Sequence, residues 1–224
     1  MKESTPKKRT LWFTIINGFL FLTTIIVTYI TLAFGTVAGQ VDTGVDYGWM
    51  YLITYTVQSN ILLGIVALIG IIYGLRNLKK DRPIPRRFLV LYLTAAAAAM
   101  LTALTVIFFL APARVVAGKN YFDMLLGPMF FFHFFNPFLS AAAFIYLTPA
   151  IRFAKPDAYY SIIPPVLYAI PYILNVVILK GWPDFYGFTF GGNDWAIIFV
   201  FLVIATVITS VAYGLVHLHN HRRR

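Results

Sequence analysis

A threonine hydroxyl and a histidine ring are the smallest set of side chains that can act as a nucleophile and its base. This chain carries both inside apolar sequence. Met129-Phe-Phe-Phe-His-Phe-Phe-Asn-Pro137 sinks His133 into a run of phenylalanines. An ionisable ring in such a setting is costly unless something needs it there. Thr54, Thr56, Gln58, Ser59 and Asn60 form the densest run of small polar groups in the chain. A neutral imidazole is the form a general base requires, and His133 could take the Thr56 proton while Oγ attacks an acyl carbonyl. Ser59, Asn60, Asn136 or Tyr172 could then donate to the developing oxyanion. The catalytic pair on this reading is Thr56 and His133, with Ser59 the fallback nucleophile. Neither metal nor cofactor is expected. The absence of cysteine rules out disulfides, thiolate metal sites and a cysteine nucleophile.

Composition says where these residues must sit. The 224-residue chain is 60% hydrophobic and 12% charged, with a mean hydropathy of +0.78. A soluble domain of this size cannot hide so much apolar surface. A membrane helix needs about 20 mostly apolar residues. Six stretches qualify, at about 11–34, 47–73, 88–110, 124–146, 161–179 and 195–216. The expected fold is therefore all-α, a single domain over 1–224 forming an integral bundle of six transmembrane helices. Of the 18 Lys and Arg, 15 fall in the N-terminal arm, the loops after spans 2 and 4, and the C-terminal tail. By the positive-inside rule both termini are cytoplasmic. The net charge of +10 is thus a topology signal, scattered over four segments, and no nucleic-acid partner is expected. The expected location is the plasma membrane, in a multi-pass bacterial protein whose partners are membrane lipids and a lipid or fatty-acyl ester. The oligomeric state stays open.

Topology also predicts depth. Thr56 is nine residues past Tyr47, and His133 nine past Met124, on spans that run in the same direction. At ~1.5 Å per residue both would sit about 13 Å below one boundary. Span 5 should be kinked by Pro164, Pro165 and Pro171, and it carries Tyr168, Tyr172 and Asn175 on one face. Ala95–Ala99 in span 3 should admit a close neighbour. The loop 181–194, with five aromatics and four glycines, reads as an interfacial anchor in preference to a lid. His217, His219 and His221 read as a solvated tail. Bland readings compete throughout. An intramembrane histidine is often an interhelical hydrogen-bond partner, and Ser and Thr in membrane helices often bond back to their own turn. A non-enzymatic lipid- or amphiphile-binding protein, or a small transporter using the same polar pocket, is the alternative function.

The motifs resemble a known family. Tyr55-Thr-Val-Gln-Ser-Asn60 looks like the Thr-x-x-Ser-Asn signature of bacterial six-span relatives of the androgen-induced and androgen-dependent TFPI-regulating proteins. His133-x-x-x-Pro137 resembles their second signature. Tyr172, Gly181-Trp182 and Tyr186-Gly-Phe188 resemble their third. The resemblance implies an intramembrane threonine hydrolase that cleaves fatty acid esters of hydroxy fatty acids, with Thr56 as nucleophile and His133 as its partner. The family pattern leads one to expect an acidic residue a few positions after the proline. This chain has Ser140-Ala-Ala-Ala there, so any role of that acid in orienting the site is either missing or supplied elsewhere, for example by Asn136.

Overall fold

The computed structural model describes residues 6–34, 48–149 and 151–222. The expectations that fall on Lys2, the loop 35–46, Tyr47, Arg223 and Arg224 lie outside them. Every regular element among the described residues is helical. Five helices are long and apolar enough to cross a bilayer: α1 (Pro6–Phe34), α2 (Tyr55–Lys80), α3 (Arg86–Val116), α5 (Lys155–Ile178) and α6 (Ala196–His221). The sixth, α4 (Phe131–Leu147), is apolar but shorter.

Two helix starts differ from those expected, and both move the site. Gly48–Ile53 form a 3-10 turn, so the second span does not begin at position 47. α2 starts at Tyr55 because Thr54 turns extended and its hydroxyl accepts the Val57 N–H at 3.4 Å. The fourth span does not begin at 124: Tyr121–Leu125 form another 3-10 turn. Gly127 then takes a φ of 60°, a left-handed geometry that glycine enters without penalty, and Pro128 follows. Thr56 and His133 therefore occupy the first turns of α2 and α4. Neither lies nine residues deep in its helix, so the depth expected from the sequence does not apply to them. The basic linker also shrinks. α2 runs on to Lys80, and only 81–85 separate it from α3.

α3 is the central helix. Of its apolar window 61% is buried, against 17% for α6. Ala95 to Ala99 are each fully buried, so helices do pack closely on that small-residue patch. α1 and α2 meet along a glycine seam. A Cβ at Gly64 would come within 2.6 Å of the Thr24 side chain, and one at Gly70 within 2.9 Å of Asn17. Large apolar side chains such as Leu22, Ile26, Phe199 and Leu202 face outward, as a bilayer requires.

One end of the bundle gathers the cations and is tied by polar contacts. Arg86 of α3 pairs with Asp157 of α5 at 2.6 Å. Asn220 of α6 exchanges two hydrogen bonds with the Phe153 backbone. Arg222 donates to the carbonyls of Ile145 and Thr148. The histidines expected in a solvated tail lie instead at the end of α6. His219 is fully buried, with its ring nitrogens on the carbonyls of Phe144 and Ile151. His217 and His221, one turn apart, stack on the exposed face. Thr56 and His133 lie at the opposite end.

Candidate functional site around Thr56

The start of α2 builds the site. A helix leaves its first N–H groups without intrahelical partners. Here the Val57 N–H goes to the Thr54 hydroxyl, and the Tyr55 N–H goes to the phenol oxygen of Tyr186 at 2.9 Å. The Thr56 N–H and hydroxyl face that same oxygen. Thr56 is half-buried and lines a cavity of about 30 Å³. That is room for a water molecule. Its polar walls are Tyr55, Thr102, Thr105, Tyr168 and Tyr186. The phenols of Tyr55 and Tyr168 are buried and have no hydrogen-bond partner. Leu101, Thr105, Phe188 and Ile204 are shared with an adjoining groove of about 470 Å³, lined otherwise by Phe108, Phe109, Phe199, Val203 and other apolar side chains.

Tyr186 reaches α2 because the loop 181–194 folds back over the bundle instead of lying out as an anchor. Asp184 holds it there. Its carboxylate accepts from the Tyr172 hydroxyl at 2.5 Å, the Phe188 N–H at 3.0 Å, and both the N–H and hydroxyl of Thr189 at 2.7 Å. Burial opposes that charge, but the four hydrogen bonds outweigh it and hold the Asp184 carboxyl below the usual carboxylate range. Burial pushes the Tyr186 phenol up, so it stays protonated. Phe185 and Phe188 complete the closure by packing against Tyr172.

His133 is buried, in a π-helical first turn of α4, with Phe134 and Phe138 turned outward beside it. Its Nδ1 lies 2.5 Å from the Met124 carbonyl. A carbonyl can only accept, so Nδ1 carries the proton and Nε2 keeps its lone pair. His133 does not line the Thr56 cavity. What joins the two helices is Asn60. Its amide nitrogen donates to the Thr56 carbonyl at 2.9 Å and to the carbonyl of Phe132, the residue before His133, at 3.2 Å.

The other expected donors are engaged elsewhere. The Ser59 hydroxyl pairs with Thr102 at 2.8 Å. Asn136 is the exception: its amide oxygen accepts from Thr23 of α1 at 2.9 Å, while its amide nitrogen is buried without a partner and does not line the Thr56 cavity. Tyr172 is spent on Asp184. Asn175 bonds back to the Pro171 carbonyl at 2.8 Å and does not extend the tyrosine face into the cavity. Thr102, Thr105, Tyr168, Asp184 and Tyr186 enter the site from positions with no nucleophile-and-base signature. The sequence cues to them are the polar face that carries Tyr168, the Tyr186-Gly-Phe188 motif, and an aspartate inside an aromatic, glycine-rich loop. Among the described residues no group of three or more His, Cys, Asp or Glu side chains could hold a metal ion. No family model matches the chain, and neither a curated protein nor a solved structure matches it.

Proposed function

We propose that the chain is an intramembrane hydrolase of lipid esters, of the fatty acid ester of hydroxy fatty acid type, with Thr56 as nucleophile and His133 as base. The observation that carries this reading is a single one: Thr56 lines a water-sized cavity, mostly apolar with a few tyrosine and threonine side chains, that adjoins an apolar groove. An acyl chain in the groove would bring its ester carbonyl to the hydroxyl. The Thr56 Oγ–C bond forms, the carbonyl π pair moves to oxygen, and the Thr56 proton passes to Nε2 of His133. Collapse breaks the bond between the acyl carbon and the alkoxy oxygen, and the departing alkoxide takes that proton from His133 to leave as the hydroxy acid. Water then cleaves the acyl-threonine and releases the fatty acid. The Asn60 bridge supports the pairing, since one amide nitrogen holds the Thr56 strand of backbone against the turn that carries His133. In the full proposal α4 is a sixth span, the basic end faces the cytoplasm of a bacterial cell, and the site lies toward the outer leaflet.

Thr56→Ala and His133→Ala should each abolish turnover and labelling by a long-chain fluorophosphonate while leaving the melting temperature in detergent unchanged. Labelling retained in both variants ends the proposal. A lipid-binding protein or small transporter is the second reading. It is favoured by a separate apolar groove of about 620 Å³ between α1 and α2, which contains neither Thr56 nor His133. It predicts amphiphile binding that both substitutions leave intact. Against transport, the Thr56 cavity shares no wall residue with the surface groove at the basic end.

A further inference from the structure

Resting on the hydrolase reading, we infer that the backbone N–H groups of Tyr55 and Thr56, together with the Tyr168 hydroxyl, form an oxyanion site whose present occupant is the phenol oxygen of Tyr186. The oxygen of Tyr186 is where a reacting carbonyl oxygen needs to be. It accepts the Tyr55 N–H at 2.9 Å and faces both the N–H and the hydroxyl of the proposed nucleophile. A carbonyl carbon attached to an oxygen at that place lies beside Thr56 Oγ. The α2 macrodipole adds its positive end to the same spot, since α2 is 26 residues long and no acidic side chain stands in its first turn.

A helix start alone is a weak argument for a site. The second observation is Tyr168. The residue is 4% exposed, its buried hydroxyl makes no hydrogen bond of ordinary geometry, and it lies near the Tyr186 oxygen and the Tyr55 N–H. A buried donor without an acceptor of its own has a hydrogen bond to give to one that enters the cavity. The negative oxygen of a tetrahedral intermediate has a lone pair to spare for it, whereas the Tyr186 phenol is itself a donor and a poorer acceptor.

The loop 181–194 is then a self-bound substitute for substrate. Its phenol holds the oxyanion site filled, and the cavity has room for only about 30 Å³ until it withdraws. The ligand that displaces it must carry an ester, thioester or amide carbonyl on an apolar chain, because the adjoining groove is apolar. An alcohol or a hydrocarbon of the same length would compete poorly.

Tyr186→Phe and Tyr168→Phe test this, read as the rate of labelling by a long-chain fluorophosphonate, whose P=O takes the oxyanion position. Tyr186→Phe keeps the ring that packs on Phe188 at 5.0 Å and removes only the occupant oxygen. It should label several-fold faster. Tyr168→Phe removes a donor and should label at least about tenfold slower, in the wild-type and Tyr186→Phe backgrounds alike. Slower or unchanged labelling of Tyr186→Phe overturns the inference, and so does an unchanged rate for Tyr168→Phe. If Tyr168→Phe does not fold, Tyr186→Phe decides alone. Failure here is separable from failure of the hydrolase reading: the latter shows as labelling that survives Thr56→Ala, the former as wrong-signed effects on labelling that still requires Thr56.

Discussion

Replacing Asp184 with alanine should open the loop 181–194 while leaving the bundle folded. The carboxylate accepts four hydrogen bonds, two from hydroxyls and two from backbone N–H groups. Bonds to a charged group contribute roughly 1.5–3 kcal/mol each when desolvated. The full sum overstates the effect, because Asp184 is only partly buried and its partners regain water once the loop lifts. A net loss of about 2–4 kcal/mol is the working figure, and it raises the open population about 30- to 1,000-fold. Asp184→Asn keeps one acceptor oxygen and should fall between. The sign with pH follows from the depressed carboxyl. Its contribution is complete above the ordinary aspartate value of about 3.9 and is lost only as pH falls through the lower folded value. The wild-type loop should therefore be as closed at pH 5 as at pH 8. Hydrogen exchange of the loop amides in detergent micelles, corrected for intrinsic rates, measures both effects. Unchanged protection in Asp184→Ala, or opening of the wild-type loop between pH 7 and pH 5, refutes the reasoning. A large drop in global melting temperature also refutes it, since the loop should open locally.

Ser59→Ala should retain fluorophosphonate labelling within a few-fold and cost about 1 kcal/mol of stability in a denaturant titration, because the Ser59 hydroxyl is committed to Thr102 at 2.8 Å; lost labelling in a folded variant would move the nucleophile to Ser59. Gly64→Ala should destabilise the bundle by about 1–3 kcal/mol, read as a lowered melting temperature, because the new methyl would sit 2.6 Å from Thr24 Cγ2 and 2.9 Å from its Cβ; an unchanged melting temperature would mean that α1 and α2 are not packed as closely as described.

The helices and the seams between them were legible because bilayer chemistry writes them locally. A spanning helix must be apolar over its whole length, and a close helix pair needs small residues such as Ala95–Ala99 at the crossing. The starts of α2 and α4 were not legible from hydropathy, since Trp49, Met50, Tyr51 and Leu52 are as apolar as the helix that follows. What ends the apolar run as a helix is one side-chain cap at Thr54 and one positive φ at Gly127, and neither changes an average over a window. His219 shows the same blindness at the other end. Three histidines alternating in a basic tail look solvated until α6 is seen to continue, and then the middle one must face inward.

Thr56 and His133 stand out because their residue types are rare or suggestive where they occur, whereas the phenol that accepts from the turn carrying Thr56 comes from 131 positions beyond Tyr55, in a loop that reads as an anchor. An anchor accounts for the aromatics and not for Asp184. A carboxylate flanked by phenylalanine and tyrosine would be poorly placed in a headgroup anchor, since those rings partition toward the acyl region and would draw the charge with them. Folding back resolves the conflict. The rings enter the bundle against Tyr172, the charge finds four donors, and the phenol of Tyr186 reaches the free N–H groups of α2. The loop's composition and the helix start are thus two halves of one hydrogen-bonding account. The N–H groups at the half-buried start of α2 need an acceptor, and the loop supplies one.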